Sequence, residues 1–132
     1  MGHTYADGEQ LRDVYETMFG LVADAPAMAG LVEQHMVINF RLSDPSADIW
    51  VDGRQRPVVT TFEPGDADAS LTATLSADSM HELLLGTLPL SKALLFRKLK
   101  VSGSKSRAMK LESLLHACQS VYPDIAAERL DT

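Results

Sequence analysis

The sequence predicts an α+β domain, a five-stranded, mostly antiparallel sheet covered on one face by helices. Three observations point there. Apolar residues recur at helical spacing up to about Ala23 and then, from Met36, switch to strict alternation, the period of a half-buried strand. That run is the first of four short strands separated by turn residues. From Asp68 to Leu115 the pattern then reads strand, helix, helix, strand and helix with almost no slack, so the helices must pack back on the sheet.

The elements follow in order. Asp7 can cap a first helix, with Gln10 three residues on completing a loose capping box. Leu11, Val14, Tyr15, Met18, Phe19, Leu21 and Val22 form its stripe, and Pro26 breaks or restarts it. Met28, Leu31 and Val32 support a further short turn. Met36, Ile38, Phe40 and Leu42 alternate with Val37, Asn39 and Arg41 on a first strand. Asp44-Pro45 turns into Asp48–Val51, and Asp52-Gly53 reads as a tight hairpin turn. A third strand is expected near Pro57 to Phe62, and Glu63-Pro64-Gly65-Asp66 turns again. On a fourth strand Leu71, Ala73 and Leu75 alternate with threonines, which suit a pleated surface.

Ser76 caps the next helix, with Asp78 in its first turn where the helix dipole favours negative charge. Met80, Leu83 and Leu84 form its stripe, and Gly86 stops it. Pro89 opens a short helix through Leu94, Leu95 and Phe96. Leu99 and Val101 alternate with Lys98, Lys100 and Ser102 on a fifth strand. After Gly103-Ser104 a last long helix carries Ala108, Met109, Leu111, Leu114, Leu115, Cys118 and Val121 on a wide apolar face, with Pro123 after its end.

At 132 residues the chain is read as a single domain over 1–132, long enough to bury a real core. No apolar run approaches the roughly 18 residues of a membrane span. The start, MGHTYADGEQ, lacks a basic segment followed by an apolar one, so no signal peptide is expected. One cysteine permits no intrachain disulfide. Together these favour a reducing, cytoplasmic, bacterial-type setting.

The net charge of −6 argues against a nucleic-acid binder. Residues 1–91 carry 14 acids and 4 bases, a net −10, whereas residues 92–110 carry seven bases and no acid. Residues 111–132 return to −3, with four acids and one base. The basic run either balances an acidic surface or forms a rim that meets anionic lipid or a ligand carboxylate.

Catalytic chemistry is sparse. His3, His35, His81 and His116 do not converge in sequence, and His116 and Cys118, two residues apart on one helix, point to different sides. Neither a metal site nor a cofactor is expected. Cys118 lies far from any helix N-terminus and reads as a small buried hydrophobe. The glycines occur singly, without a dinucleotide- or phosphate-binding pattern. By contrast, Leu83, Leu84, Leu85, Leu88, Leu90, Leu94, Leu95 and Phe96 crowd two short helices that cannot put all eight into one core. Some should face a second apolar space, either a pocket or a partner surface.

In these residues the chain resembles the sterol carrier protein type 2 family. The likeness runs from about Met36 to Leu115. It rests on Ile49-Trp50-Val51-Asp52-Gly53, the Asp68–Ser76 strand-to-helix junction, Leu83–Leu88, Lys92–Phe96, and Lys98–Leu111, in that order and spacing. The resemblance implies a hydrophobic tunnel between sheet and helices that binds sterols, fatty acids, acyl-CoA or other lipids without fixed chemistry. Its wall is expected from Phe19, Met36, Ile38, Phe40, Leu84, Leu88, Leu95, Phe96, Met109 and Leu115. Two departures add positive charge. Arg97 stands where the family usually has glycine, and Lys105-Ser106-Arg107 stands ahead of Ala108-Met109-Lys110-Leu111. Arg97, Lys98 and Lys100 are therefore the expected head-group or membrane contacts. The function expected is non-catalytic binding or transfer of an apolar ligand, with transient contact to an anionic membrane and a homodimer both open. The alternative is an interaction or dimerisation module that uses the same apolar surface.

Overall fold

The computed structural model describes residues 5–54, 57–63, 69–103 and 105–130, with backbone alone for residues 27 and 105–109. Helices α1 (Gly8–Val22) and α2 (Ala29–Glu33), joined by a 3-10 turn at Pro26–Met28, precede strands β1 (Val37–Ser43), β2 (Ala47–Asp52), β3 (Val59–Thr61) and β4 (Leu71–Ser76). Helices α3 (Ala77–Leu85) and α4 (Leu90–Leu95), strand β5 (Leu99–Ser102), and helices α5 (Lys105–Gln119) and α6 (Tyr122–Arg129) complete the chain.

The five strands form one sheet in the order β3-β2-β1-β4-β5. Three of its pairings are antiparallel, and β1–β4 is parallel, with Ile38 beside Leu71 and Leu42 beside Leu75. Alternation sorts the faces as expected except in the first half of β1, where Val37 and Asn39 are buried as well and the Asn39 amide donates to Ile49 O at 3.1 Å. Ile38, Phe40, Leu42, Ile49, Val51, Leu71, Ala73, Leu75 and Leu99 turn to the helices and join a single core with Leu11, Met18, Leu31, Leu84, Leu111, Leu114 and Leu130. Arg41, Thr74 and Lys100 lie exposed on the other face.

Local chemistry explains the helix ends. The Asp7 carboxylate accepts from Gln10 N at 2.9 Å as anticipated, but the Gln10 side-chain oxygen reaches one residue further back, accepting from Ala6 N at 2.7 Å rather than from Asp7 N. Ser76 caps α3 by accepting from Ser79 N at 3.1 Å. Helices α2, α3 and α4 end in one motif. In each, a residue in the left-handed region donates three residues back, and the next residue donates five back. Those residues are His35 (φ 50), Gly86 (φ 81) and Arg97 (φ 59). Only Gly86 was legible as a stop, because glycine alone takes that conformation without cost.

Three expectations are corrected. The last long helix ends earlier than expected, at Gln119 and short of Val121, and a further helix follows it, with Pro123 in the first turn of α6, where its missing N–H costs nothing. The Ser120 hydroxyl takes the Ala117 carbonyl at 2.6 Å, closing the break. Asp52-Gly53 is not a two-residue hairpin turn, since β3 begins only at Val59 and is shorter than the predicted run. Gly53 is needed for closeness instead. It donates to Met36 O at 2.7 Å, and a Cβ there would meet Met36 O at 2.9 Å and Leu31 O at 3.0 Å. The turn expected at residues 63–66 falls mostly outside the described residues, as does Asp68.

Candidate functional site

Where α3, α4 and α5 meet, a half-open pocket of about 270 Å³ is lined by Leu83, Pro89, Leu90, Ser91, Glu112, Leu115, His116 and Gln119. Its position follows from the short helices. Gly86 ends α3, Leu88 turns back into the core, and Pro89 starts α4, which lays only Ala93 fully into the core. The rest of α4 therefore stands off the last helix and leaves a gap over Leu83 and Leu115. The rim is polar. The Gln119 amide donates to Leu83 O at 2.9 Å, and Ser91, Glu112 and His116 complete it. The described lining includes a carboxylate and no lysine or arginine.

The expected wall residues separate into three groups. Phe19, Met36, Ile38, Phe40, Leu84, Leu88 and Leu115 are buried in one packed core, and of these Leu115 lines the pocket. Leu95 and Phe96 do not line an interior space as expected. They stand 74% and 63% exposed, because a six-residue helix that contacts the core through Ala93 turns its last residues outward. The Met109 side chain lies outside the described residues. Arg97, Lys98 and Lys100 are exposed in the α4–β5 turn and on β5, and none belongs to the described pocket lining. Leu83, Leu90 and the polar rim are lining residues that the sequence did not single out as such. Leu83 and Leu90 were visible as apolar helix residues, but nothing in one dimension says that α5 passes opposite them.

The nucleophile and base candidates are engaged structurally. Burial pushes the Cys118 thiol up to about 12 and keeps it protonated. His81 Nδ1 lies 2.5 Å from the Tyr122 hydroxyl, and burial lowers the imidazole from its ordinary pKa, opposed by Asp78 and Glu82. Tyr122, Tyr5 and Tyr15 continue as a buried chain of hydroxyls, with Tyr5 to Tyr122 at 2.5 Å and Tyr5 to Tyr15 at 2.8 Å. Burial first, and the neighbouring tyrosine next, raises the phenols of Tyr5, Tyr15 and Tyr122 well above their usual value. This network was not anticipated. Among the described residues no group of three or more His, Cys, Asp or Glu side chains comes together to hold a metal ion. No described helix is long and apolar enough to cross a membrane.

A sheet with one helix-covered apolar face, and a half-open pocket of mixed polarity between short helices, defines a small two-layer α+β domain. The chain belongs to the SCP-2 sterol transfer family, whose family model matches residues 21–116. Solved structures agree in fold. The apo sterol carrier protein 2 of Yarrowia lipolytica is 20% identical, over 90% of this chain and 96% of that one, with a TM-score of 0.65. The sterol carrier protein domain 2 of Helicoverpa armigera is 18% identical, over 89% and 96%, also at 0.65. A sec-alkylsulfatase from Pseudomonas sp. shares the fold at 18% identity and a TM-score of 0.54, over 68% of this chain but 14% of its own. No curated protein sequence matches the chain.

Proposed function

We propose that this protein binds an apolar small molecule, a lipid with a small hydrogen-bonding head, and carries it without altering it. The observation that carries the reading is the pocket over Leu83, Leu90 and Leu115, apolar at its floor and hydrogen-bonding at its rim. The family's description as sterol transfer supports it. Ser91, His116 and Gln119 offer hydrogen bonds at the rim, while the Glu112 carboxylate disfavours an anionic head there. The burial of Cys118 and the hydrogen bond that ties the half-buried His81 to Tyr122 support a non-catalytic role.

Magnitudes say that the pocket must widen to do this. Micromolar affinity is worth about 8 kcal/mol, and association costs at least about 4 kcal/mol more. At about 0.8 kcal/mol per buried methylene, some 15 methylenes are required. A cavity of about 270 Å³ holds fewer, since it lies just under the roughly 300–1,000 Å³ of pockets that enclose whole small ligands. Helix α4, held to the core by Ala93 and the partly buried Leu90, is the wall with least to lose by moving.

Titration with a fluorescent long-chain alcohol and a fluorescent sterol, both uncharged at the head, tests the reading. The wild-type protein is expected to saturate at micromolar ligand, and Leu90→Trp, which fills the pocket, to weaken binding at least about ten-fold with an unchanged circular dichroism spectrum. Undiminished affinity in folded Leu90→Trp protein would reject this pocket as the site.

A further inference from the structure

We propose that the corner formed by α4 and the start of β5 is a docking surface for an anionic lipid bilayer. Leu94, Leu95 and Phe96 stand 43%, 74% and 63% exposed at consecutive positions. Lys92, Arg97, Lys98 and Lys100, all exposed, surround them in sequence. Between Glu82 and Glu112 there is no acid, and the seven bases of that stretch leave the remaining residues with 18 acids and 5 bases, a net −13. The rest of the chain is thus net acidic and four of the seven bases lie at this corner, so a negatively charged membrane is drawn to it before the other sides. The side it attracts is the one that offers large apolar side chains to the acyl boundary and cations to the phosphates, the two signals that stable surface binding requires.

Backbone chemistry points the same way. Arg97 sits at the left-handed position that closes α4, with Arg97 N donating to Leu94 O at 3.3 Å and Lys98 N to Ala93 O at 2.9 Å. The equivalent positions of α2 and α3 hold His35 and Gly86, so the motif itself does not call for arginine, and Arg97 places a cation directly after the exposed Leu94, Leu95 and Phe96. A second copy of the chain fits this patch poorly, because a two-fold contact would set the four cations of one subunit against the same four of the other. Helix α1 is no rival for the membrane, since Glu9, Asp13 and Glu16 lie exposed on it.

The surface borders the pocket through Leu90 and Ser91 of the same helix, so docking would place the pocket's movable wall against the source of its cargo. That purpose rests on the ligand-carrying role proposed above, whereas the docking itself does not.

Co-sedimentation with vesicles of phosphatidylcholine alone, and of phosphatidylcholine with phosphatidylserine, tests it. The wild-type protein is expected to bind the anionic vesicles at least about ten-fold more tightly, with affinity falling as salt rises. Leu95→Ser combined with Phe96→Ser should weaken that binding at least about ten-fold. Arg97→Gly should weaken it roughly five-fold while raising the melting temperature, two changes of opposite sign that a purely structural arginine would not produce. Equal binding to both vesicles, no binding, wild-type binding by either variant, or a solution dimer that the paired serine substitutions dissolve would each overturn the proposal. Titration of the wild-type protein with the long-chain alcohol in vesicle-free buffer reads the carrying role separately, so retained titration without vesicle binding rejects the docking surface alone.

Discussion

The hydroxyl oxygens of Tyr5 and Tyr122 lie 2.5 Å apart, joining the segment before α1 to the first turn of α6 across 117 residues of sequence. Tyr15 reaches the same Tyr5 hydroxyl, and His81 reaches Tyr122, so four residues from α1, α3, α6 and the N-terminal segment share one hydrogen-bonded chain. Their rings meet edge to face, with Tyr5 and Tyr15 centroids 5.6 Å apart and His81 and Tyr122 centroids 5.5 Å apart. Every buried side-chain polar atom among the described residues has a partner. This chain therefore closes the helical layer at little desolvation cost while it stays complete.

Removing its middle member tests that. Tyr122→Phe keeps the ring and deletes the hydroxyl that bridges Tyr5 and His81. A loss of about 1–3 kcal/mol is expected, read from the urea midpoint at constant slope. A smaller loss than for Tyr15→Phe would show that His81 and Tyr5 re-pair with water.

The same network makes stability depend on pH. Burial lowers the His81 pKa below its ordinary 6.5, so just below that value the unfolded chain binds more protons than the folded one. The stabilisation is complete above about pH 6.5 and is lost as pH falls through the lower folded value. Asp78 and Glu82 soften the effect, as does the partial exposure of the ring. The urea midpoint should drop between about pH 7.5 and about pH 5.5, and His81→Gln should flatten that part of the profile.

Gly53 tests the close approach of β2's end to α2. Its missing Cβ is what lets Leu31 O and Met36 O come within about 3 Å of that position. Gly53→Ala pushes against backbone, which cannot rotate away as a side chain could. A destabilisation of about 1–3 kcal/mol is expected in thermal or urea unfolding. Gly20, which has open space around it, should tolerate alanine in the same assay.

Ligand should quiet α4. Because Ala93 alone is fully buried on that helix, amides from Leu94 to Lys98 should exchange quickly in the free protein. Saturating apolar ligand should slow them more than it slows β1 amides in hydrogen-exchange mass spectrometry. Equal exchange with and without ligand would place the widening elsewhere.

Much of this architecture was legible beforehand, for local reasons. Alternation along Met36–Leu42 and Leu71–Leu75 marked strands and chose their inner faces, because side chains on a pleat point to opposite sides. Asp7, Ser76 and Gly86 announced helix ends through hydrogen bonds or φ values that only a few residue types supply. His35 and Arg97 end helices the same way and escaped notice, since both residue types take the left-handed region far less often than glycine. The parallel pairing of β1 with β4 was equally hidden. Alternation has the same period in either direction, and the return path of the chain decides the sense.

The amino-acid order determined the class of domain, the apolar core and the family, because periodicity, caps and turn residues act between near neighbours along the chain. Tertiary structure alone decided which leucines face a cavity and which face water. Leu83 and Leu90 border the pocket while Leu95 and Phe96 stand in solvent, although all four read alike in one dimension. Burial is a property of what lies opposite a side chain. For these residues the opposite wall is α5, more than ten positions further along the chain.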